Sequence, residues 1–317
     1  PHEVLVAGGD DILVPGVHGL GQIRLREHQV LRDVTQLRVG EELDLLLLFL
    51  PVHHQIRGGQ QGLGQKIGEI FDKLKEQNIY EDTVIIISSD HGESLGENGS
   101  YCEHGEADAI VTHIPLIVKW SGMAKNVESK GFHYNVDLLP TLIDLIGNVP
   151  PFKCNRVVGL ANPVQYDGVS FADCIRSGKD GGREYLVVSQ MAHVCQRAVR
   201  FDDWIYIRTY HDGYHLTETD ELFNVKNDPH ETVNVAEQNP EVCWKGAYLL
   251  EHWVAENMLS NIYRTSSDPL WDVIADGGPF HCRGYLKKYC ERLENTGRGE
   301  LAEQLKERHP EEYKISY

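Results

Sequence analysis

The chain has 317 residues, 48 Asp and Glu against 30 Lys and Arg, a formal net charge of -18 and 41% hydrophobic residues. That is enough for one large buried core or two ordinary ones, and the acidity excludes a general nucleic-acid binder, which needs clustered Lys and Arg to neutralise phosphates. Seven Cys without a C-x-x-C pair indicate neither a zinc knuckle nor a disulfide framework, and the longest apolar run, LDLLLLFLP at 43–51, is too short to span a bilayer.

The first 62 residues differ in kind from the rest. Before Lys66 there is no Lys, Tyr, Trp or Cys, and Phe49 is the single aromatic residue. EVLVAGGDD at 3–11 reads as a strand ending in a turn at Asp10 and Asp11. The break in composition marks 1–62 as an unassigned segment, foreign to the remainder of the chain or translated in a wrong frame. No basic stretch leading into an apolar core and a small-residue cleavage site is readable, so the compartment stays open.

From Gly62 the periodicity becomes regular. Leu63, Ile67, Ile70, Phe71 and Leu74 predict an amphipathic helix ending near Asn78. Residues 83–89 are a continuous β-branched run, the pattern of a strand buried on both faces in a parallel sheet, and 114–120 (IPLIVKW) is read as a second such strand with Pro115 near its start. VDLLPTLIDLI at 136–146 predicts a helix ended by Gly147, with Pro140 in its early turns. Beyond about residue 180, short strands at 185–190, 196–201, 203–211 and 221–225 form the pattern of an antiparallel meander. A charged helical tail at 285–308 breaks near Gly297 and Gly299. The expected organisation is 63–180 as an α/β core and 181–317 as a small antiparallel sheet with a helical tail.

The chemistry gathers where the first of these strands ends, at Asp90-His91-Gly92. In open α/β sheets ligands bind just past the carboxyl ends of the strands. A carboxylate and an imidazole on adjacent residues suit one divalent cation, with Gly92 turning the backbone, and Glu93, Glu97 and Glu103 add negative charge. The same residues also fit a helix N-cap and a turn. His104 is placed to donate to a leaving-group oxygen. Cys102 and His104 resemble a thiol–imidazole pair only by spacing, His113 and His193 read as structural, and Asn98-Gly99-Ser100 is a glycosylation acceptor that matters only on export. There is no Walker A, no G-x-G-x-x-G and no nucleophile elbow.

Taken in order, residues 82–122, VDLLPTLIDLIG at 136–147, YDGVSF at 166–171 and ELFNVKNDPHETVNVA at 221–236 resemble the C-terminal half of a sulfatase of the alkaline-phosphatase superfamily. The resemblance implies an incomplete alkaline-phosphatase-like mixed α/β sheet flanked by helices, followed by a small antiparallel subdomain with a C-terminal helix. It implies a sulfate ester of a small molecule or carbohydrate as substrate, Asp90 and His91 as ligands of a divalent metal ion, calcium in most of the family, and His104 on the sulfate or the leaving oxygen. It also implies a formylglycine nucleophile made in C-x-P-x-R or S-x-P-x-R, and this chain contains neither. A phosphoester or phosphonate hydrolase of the same superfamily and a non-catalytic binding protein are the alternatives. Membrane and nucleic-acid partners are not expected.

Overall fold

The computed structural model describes residues 34–39, 43–49, 55–147, 167–260 and 267–314, so Asp10 and Asp11 lie outside the described residues. The chain divides into two compact units. One comprises residues up to Asp90 together with Pro115–Val127 and Ile175–Gly178, and the other comprises His91–Ile114, Glu128–Cys174 and the chain from Lys179 onward.

The described elements run β1 (Val34–Val39), β2 (Leu43–Phe49), α1 (Gln55–Glu76), β3 (Thr83–Ser88), β4 (Ser94–Leu95), β5 (Tyr101–Glu103), α2 (Ala109–Thr112), β6 (Leu116–Lys119), α3 (Leu138–Ile146), α4 (Ala172–Ser177) and β7 (Tyr185–Gln190). β8 (Cys195–Phe201), β9 (Trp204–His211), β10 (Asp220–Asn224), α5 (Pro240–Ser260), α6 (Pro269–Ala275), α7 (Leu286–Asn295), α8 (Gly299–Arg308) and α9 (Pro310–Lys314) come after them.

In the first unit the sheet order is β1-β2-β3-β6. β2 and β3 are parallel, joined by α1, while β1 on β2 and β6 on β3 are antiparallel. The sheet is therefore mixed. All six residues of β3 are buried, and Ile85 and Ile87 pack with Leu74 beneath Ile67, Ile70 and Phe71 of α1. The period of Ile67, Ile70, Phe71 and Leu74 thus marks the buried stripe of α1, but the helix begins at Gln55 and runs through the composition break at Gly62. LDLLLLF at 43–49, which the sequence set apart only as too short for a bilayer, is a strand in register with β3. β6 is shorter than expected and differs from β3 in kind, being an antiparallel edge strand with Leu116 and Ile117 exposed. An edge strand has one ladder neighbour, so its apolar side chains are covered less.

In the second unit the order β10-β9-β8-β7 is a pure antiparallel meander. Strand alternation gives the sheet two apolar faces. Val187, Val199, Phe201, Tyr206 and Leu222 meet Leu250 of α5, where Gly246 lets the helix backbone approach the Tyr206 ring. Ala198, Ile205, Ile207 and Phe223 on the opposite face pack around Ala107. The second face therefore supports the loop that carries His104. α7 and α8, separated by Gly297 at φ 77°, bury Leu286, Cys290, Leu293, Ala302 and Leu305 around Tyr214. The cysteines at 174, 195, 243, 282 and 290 are free. No helix among the described residues is long and apolar enough to cross a membrane.

The tail is locked to the meander by a buried ionic cluster, and its hydrogen bonds settle where the protons sit. The Gly213 N–H donates to His211 Nδ1, so His211 carries its proton on Nε2 and gives it to Glu312 Oε1 at 3.0 Å. His309 faces a carboxylate with each nitrogen, Glu312 at 2.9 Å and Asp212 at 2.8 Å, and is an imidazolium. Arg308 completes the set on Asp212. Burial alone would lower the pKa of His309, yet its bonds to Asp212 and Glu312 push it up to about 9. Burial would raise Asp212, but His309, Arg308 and the Tyr214 N–H bring it down to about 2.

These shifts set a pH window. A raised His309 contributes stability in full below its ordinary value of 6.5 and loses it as pH rises through 9. Burial also raises Glu106 and Glu221 to about 7 and Glu231 to about 8, so their neutral forms favour the fold at low pH and that advantage disappears as pH rises through those values. Asp212 acts oppositely, its contribution vanishing as pH falls from 3.8 to about 2. Thermal unfolding followed by circular dichroism is expected to show Tm falling steadily between pH 6.5 and 9. A Tm that is flat or rising over that range contradicts the proton assignments.

Candidate functional site

Gly92 opens the site. Its N–H donates to the Val111 carbonyl at 2.7 Å, and a Cβ there would stand 1.9 Å from the Ile110 carbonyl oxygen. The glycine is needed for this close approach of two backbones; it is not among the residues with positive φ. β4 and β5 then make a two-stranded hairpin, and the return toward α2 is pinned by buried acceptors. Ser100 Oγ donates to Glu106, Asp108 caps α2 by accepting the Val111 N–H, Glu231 accepts the Ala109 N–H, and the Gln196 side chain accepts the Ala107 N–H. The Gln190 amide at the end of β7 donates to the His104 carbonyl at 2.9 Å. A loop held at so many points carries its side chains in fixed positions.

Those side chains converge. His91 and His104 stack with ring centroids 4.0 Å apart, and Glu93 Oε2 lies 3.7 Å from His104 Nδ1. His91 Nδ1 sits 2.7 Å from the Gly92 carbonyl, which only accepts, so Nδ1 holds the proton and Nε2 presents the lone pair. The Glu93 side chain is 4% exposed, and neither of its oxygens has a hydrogen-bond partner among the described residues. A buried carboxylate without hydrogen bonds is costly unless a cation lies beside it. One ligand atom from each of His91, Glu93 and His104 lies within 4.8 Å of the others. The residues present therefore fit a divalent cation.

A second group among the described residues, His211, His309 and Glu312, has the same donor types at similar spacing. Its protons rule it out as a neutral ligand set: His211 accepts at Nδ1 and donates at Nε2, and His309 donates at both nitrogens.

The structure brings His91 and His104 together, as their spacing in the sequence did not require. It adds Glu93, which the sequence offered only as one carboxylate among several; its position two residues beyond His91 in the same turn was the available signal. Asp90 is exposed at the end of β3 within bonding reach of Ser89 Oγ (3.4 Å) and is not a member of the group. The Cys102 side chain lies outside the described residues. Asn98 spends its amide on Asp108 at 3.1 Å. His193 is set against His104, ring centroids 6.2 Å apart.

The sulfatase family model matches residues 64–148, the stretch that runs from α1 through β3 and the whole donor group to the end of α3. Residues 64–148 belong to the sulfatase family. Choline-sulfatase of Rhizobium meliloti (strain 1021) is 29% identical over 188 residues, 56% of this chain and 31% of that protein. Arylsulfatase K of Gallus gallus is 29% identical over 185 residues, 55% of this chain and 32% of that protein. The chain thus spans about a third of the length of the curated relatives it matches. The structure of yidJ from Bacteroides fragilis, named as a sulfatase, superposes with a TM-score of 0.50 at 21% identity, covering 66% of this chain and 41% of that one. That likeness shows the fold: the sulfatase segment carries part of the alkaline-phosphatase-like α/β architecture, and the meander comes after it.

Proposed function

We propose that this chain carries the metal-and-ester half of a sulfatase active site. The observation that supports this reading is the buried Glu93 carboxylate set between two stacked imidazoles in the loop after β3. In this reading a divalent cation is held by His91 and Glu93. One imidazole among carboxylate oxygens suits Mn2+ as well as the Ca2+ implied by the family. When bound, such an ion neutralises the ester oxyanion and polarises the sulfur. Glu93 supplies the negative charge that the ion balances. His104, with its ring fixed by the stack on His91 and its backbone held by Gln190, presents a ring nitrogen to the leaving oxygen.

A formylglycine does not fit this chain. With neither C-x-P-x-R nor S-x-P-x-R present, none of its residues can be converted, and no attacking step is assigned. The same absence favours a binding role for the chain on its own. Purified chain with Mn2+ or Ca2+ is expected to bind inorganic sulfate in competition with 4-nitrophenyl sulfate while releasing no 4-nitrophenol. Turnover of the sulfate ester would contradict the missing nucleophile, and turnover of 4-nitrophenyl phosphate alone would favour phosphoryl chemistry at the same donors.

A further inference from the structure

One side chain in the turn between β7 and β8 touches three consecutive residues centred on His104. His193 Nε2 lies 3.7 Å from Glu103 Oε2, the His193 ring meets the His104 ring edge-on with centroids 6.2 Å apart and planes at 65°, and a Cβ at Gly105 would come within 2.9 Å of the His193 Cβ. Gly105 is thus the residue that lets the loop close onto this ring. The Glu103 side chain is 51% exposed, so its ion pair is weak and the ring contacts are the ones that hold.

The turn itself is built around these contacts. The β7–β8 ladder ends at Gln190 and Gln196, and the joining residues 191–194, MAHV, include none of the usual turn formers. Gln190 takes their place: its side-chain oxygen accepts the N–H groups of Met191 and Ala192 at 3.0 and 3.1 Å, while its amide nitrogen donates to the His104 carbonyl. One amide therefore ties the turn to the backbone of His104, and one ring ties it to the side chain. His193 is also held from behind. His281 stacks on it with centroids 4.2 Å apart and planes 12° from parallel, and the His281 N–H donates to the Ala192 carbonyl. Gly213, at φ 58°, packs so closely that a Cβ there would stand 2.0 Å from the His193 carbonyl oxygen.

We propose that His193 is a positioning residue for His104: its ring, braced by His281, fixes the rotation of the His104 imidazole. The χ2 torsion of an imidazole has a broad well, and the stack on His91 restrains it from one neighbour only. A second ring set across the first narrows that freedom. The inference rests on the sulfatase reading of His91, Glu93 and His104 and adds a residue that does not touch the ester. It matters because a group that meets a reacting oxygen has to be held within about 0.5 Å and 10–20° of its productive geometry.

The test reads His104 directly. In the full chain labelled with 15N-histidine, the ring-nitrogen resonances of His104 report its surroundings, and calorimetric titration of inorganic sulfate with Mn2+ present reports the site. His193→Gln keeps a polar end toward Glu103 and removes the flat ring. It is expected to shift or broaden the His104 resonances and to weaken sulfate binding roughly tenfold, the size of one charge-assisted hydrogen bond put out of place. His193→Phe restores the ring without a nitrogen for Glu103, and brings both quantities back toward the parent. His281→Ala, at an exposed position, removes only the brace and is expected to give the same two changes in smaller measure; it carries the test if His193→Gln does not fold. A folded His193→Gln chain, or in its place His281→Ala, that keeps the parent's His104 resonances and sulfate affinity while only its Tm falls overturns the inference with the site intact, and so does a His193→Phe chain that behaves like His193→Gln. A parent chain that binds neither Mn2+ nor inorganic sulfate overturns the site reading and this inference with it.

Discussion

Replacing His91 with Ala is expected to weaken Mn2+ binding by at least about 100-fold, the upper end of what loss of even an outer partner of a ligand costs. His91 is the imidazole whose tautomer the backbone fixes, with Nδ1 on the Gly92 carbonyl and Nε2 directed away from it. Glu93→Gln is expected to have a comparable effect on the metal and the opposite effect on stability. It removes a buried negative charge that no hydrogen bond compensates, so the metal-free variant gains stability while the metal-bound state is lost. This crossed pattern separates a ligand from a structural residue, which would lose both together. Calorimetric metal titration paired with thermal unfolding reads both quantities. A Glu93→Gln chain that binds Mn2+ like the parent would remove the carboxylate from the site.

The second large effect is structural. Arg183→Met is expected to cost about 3–5 kcal/mol of unfolding free energy, because it strands a fully buried carboxylate. Burial pushes the Asp137 pKa upward, but the two Arg183 bonds and the N–H groups of Val169 and Tyr134 outweigh it and hold the carboxyl below its usual range. Tyr134, over whose ring the guanidinium sits at 4.7 Å, is in turn bound through its hydroxyl to the Val187 backbone of β7. Losing Arg183 therefore loosens the start of α3 and the edge of the meander at once. The double variant with Asp137→Asn recovers part of the loss, since no stranded charge remains. Chemical denaturation that shows a change below 1 kcal/mol for Arg183→Met contradicts this account.

The physics of each signal decided how much of the fold was legible in the sequence. β3 was legible because a strand buried on both faces has no polar alternation, and the four meander strands because turn residues punctuate them every few positions. α5 was hidden by its own composition. Val242, Leu250, Trp253 and Val254 pack on the sheet while Trp244, Tyr248 and Met258 are exposed around the same helix, so no single apolar stripe stands out. β2 escaped notice because its run of leucines was measured only against a bilayer, whereas its partner lies parallel to it across a helix.

The site divides the same way. His91 and Gly92 announce themselves by their position after a strand, and His104 by resemblance. Glu93 gained its place only from burial, which depends on how the loop returns through Ser100, Glu106 and Asp108 to α2. Asp137 and Arg183, 46 residues apart, gave no local sign of their pairing.

Anomalous diffraction from crystals of the full chain soaked in Mn2+ tests the central claim most directly. The account predicts one dominant peak within coordination distance of His91 Nε2 and a Glu93 oxygen, with an added sulfate oxygen beside it. A peak at His211 and Glu312, or none while His91 and Glu93 keep their metal-free positions, would contradict it.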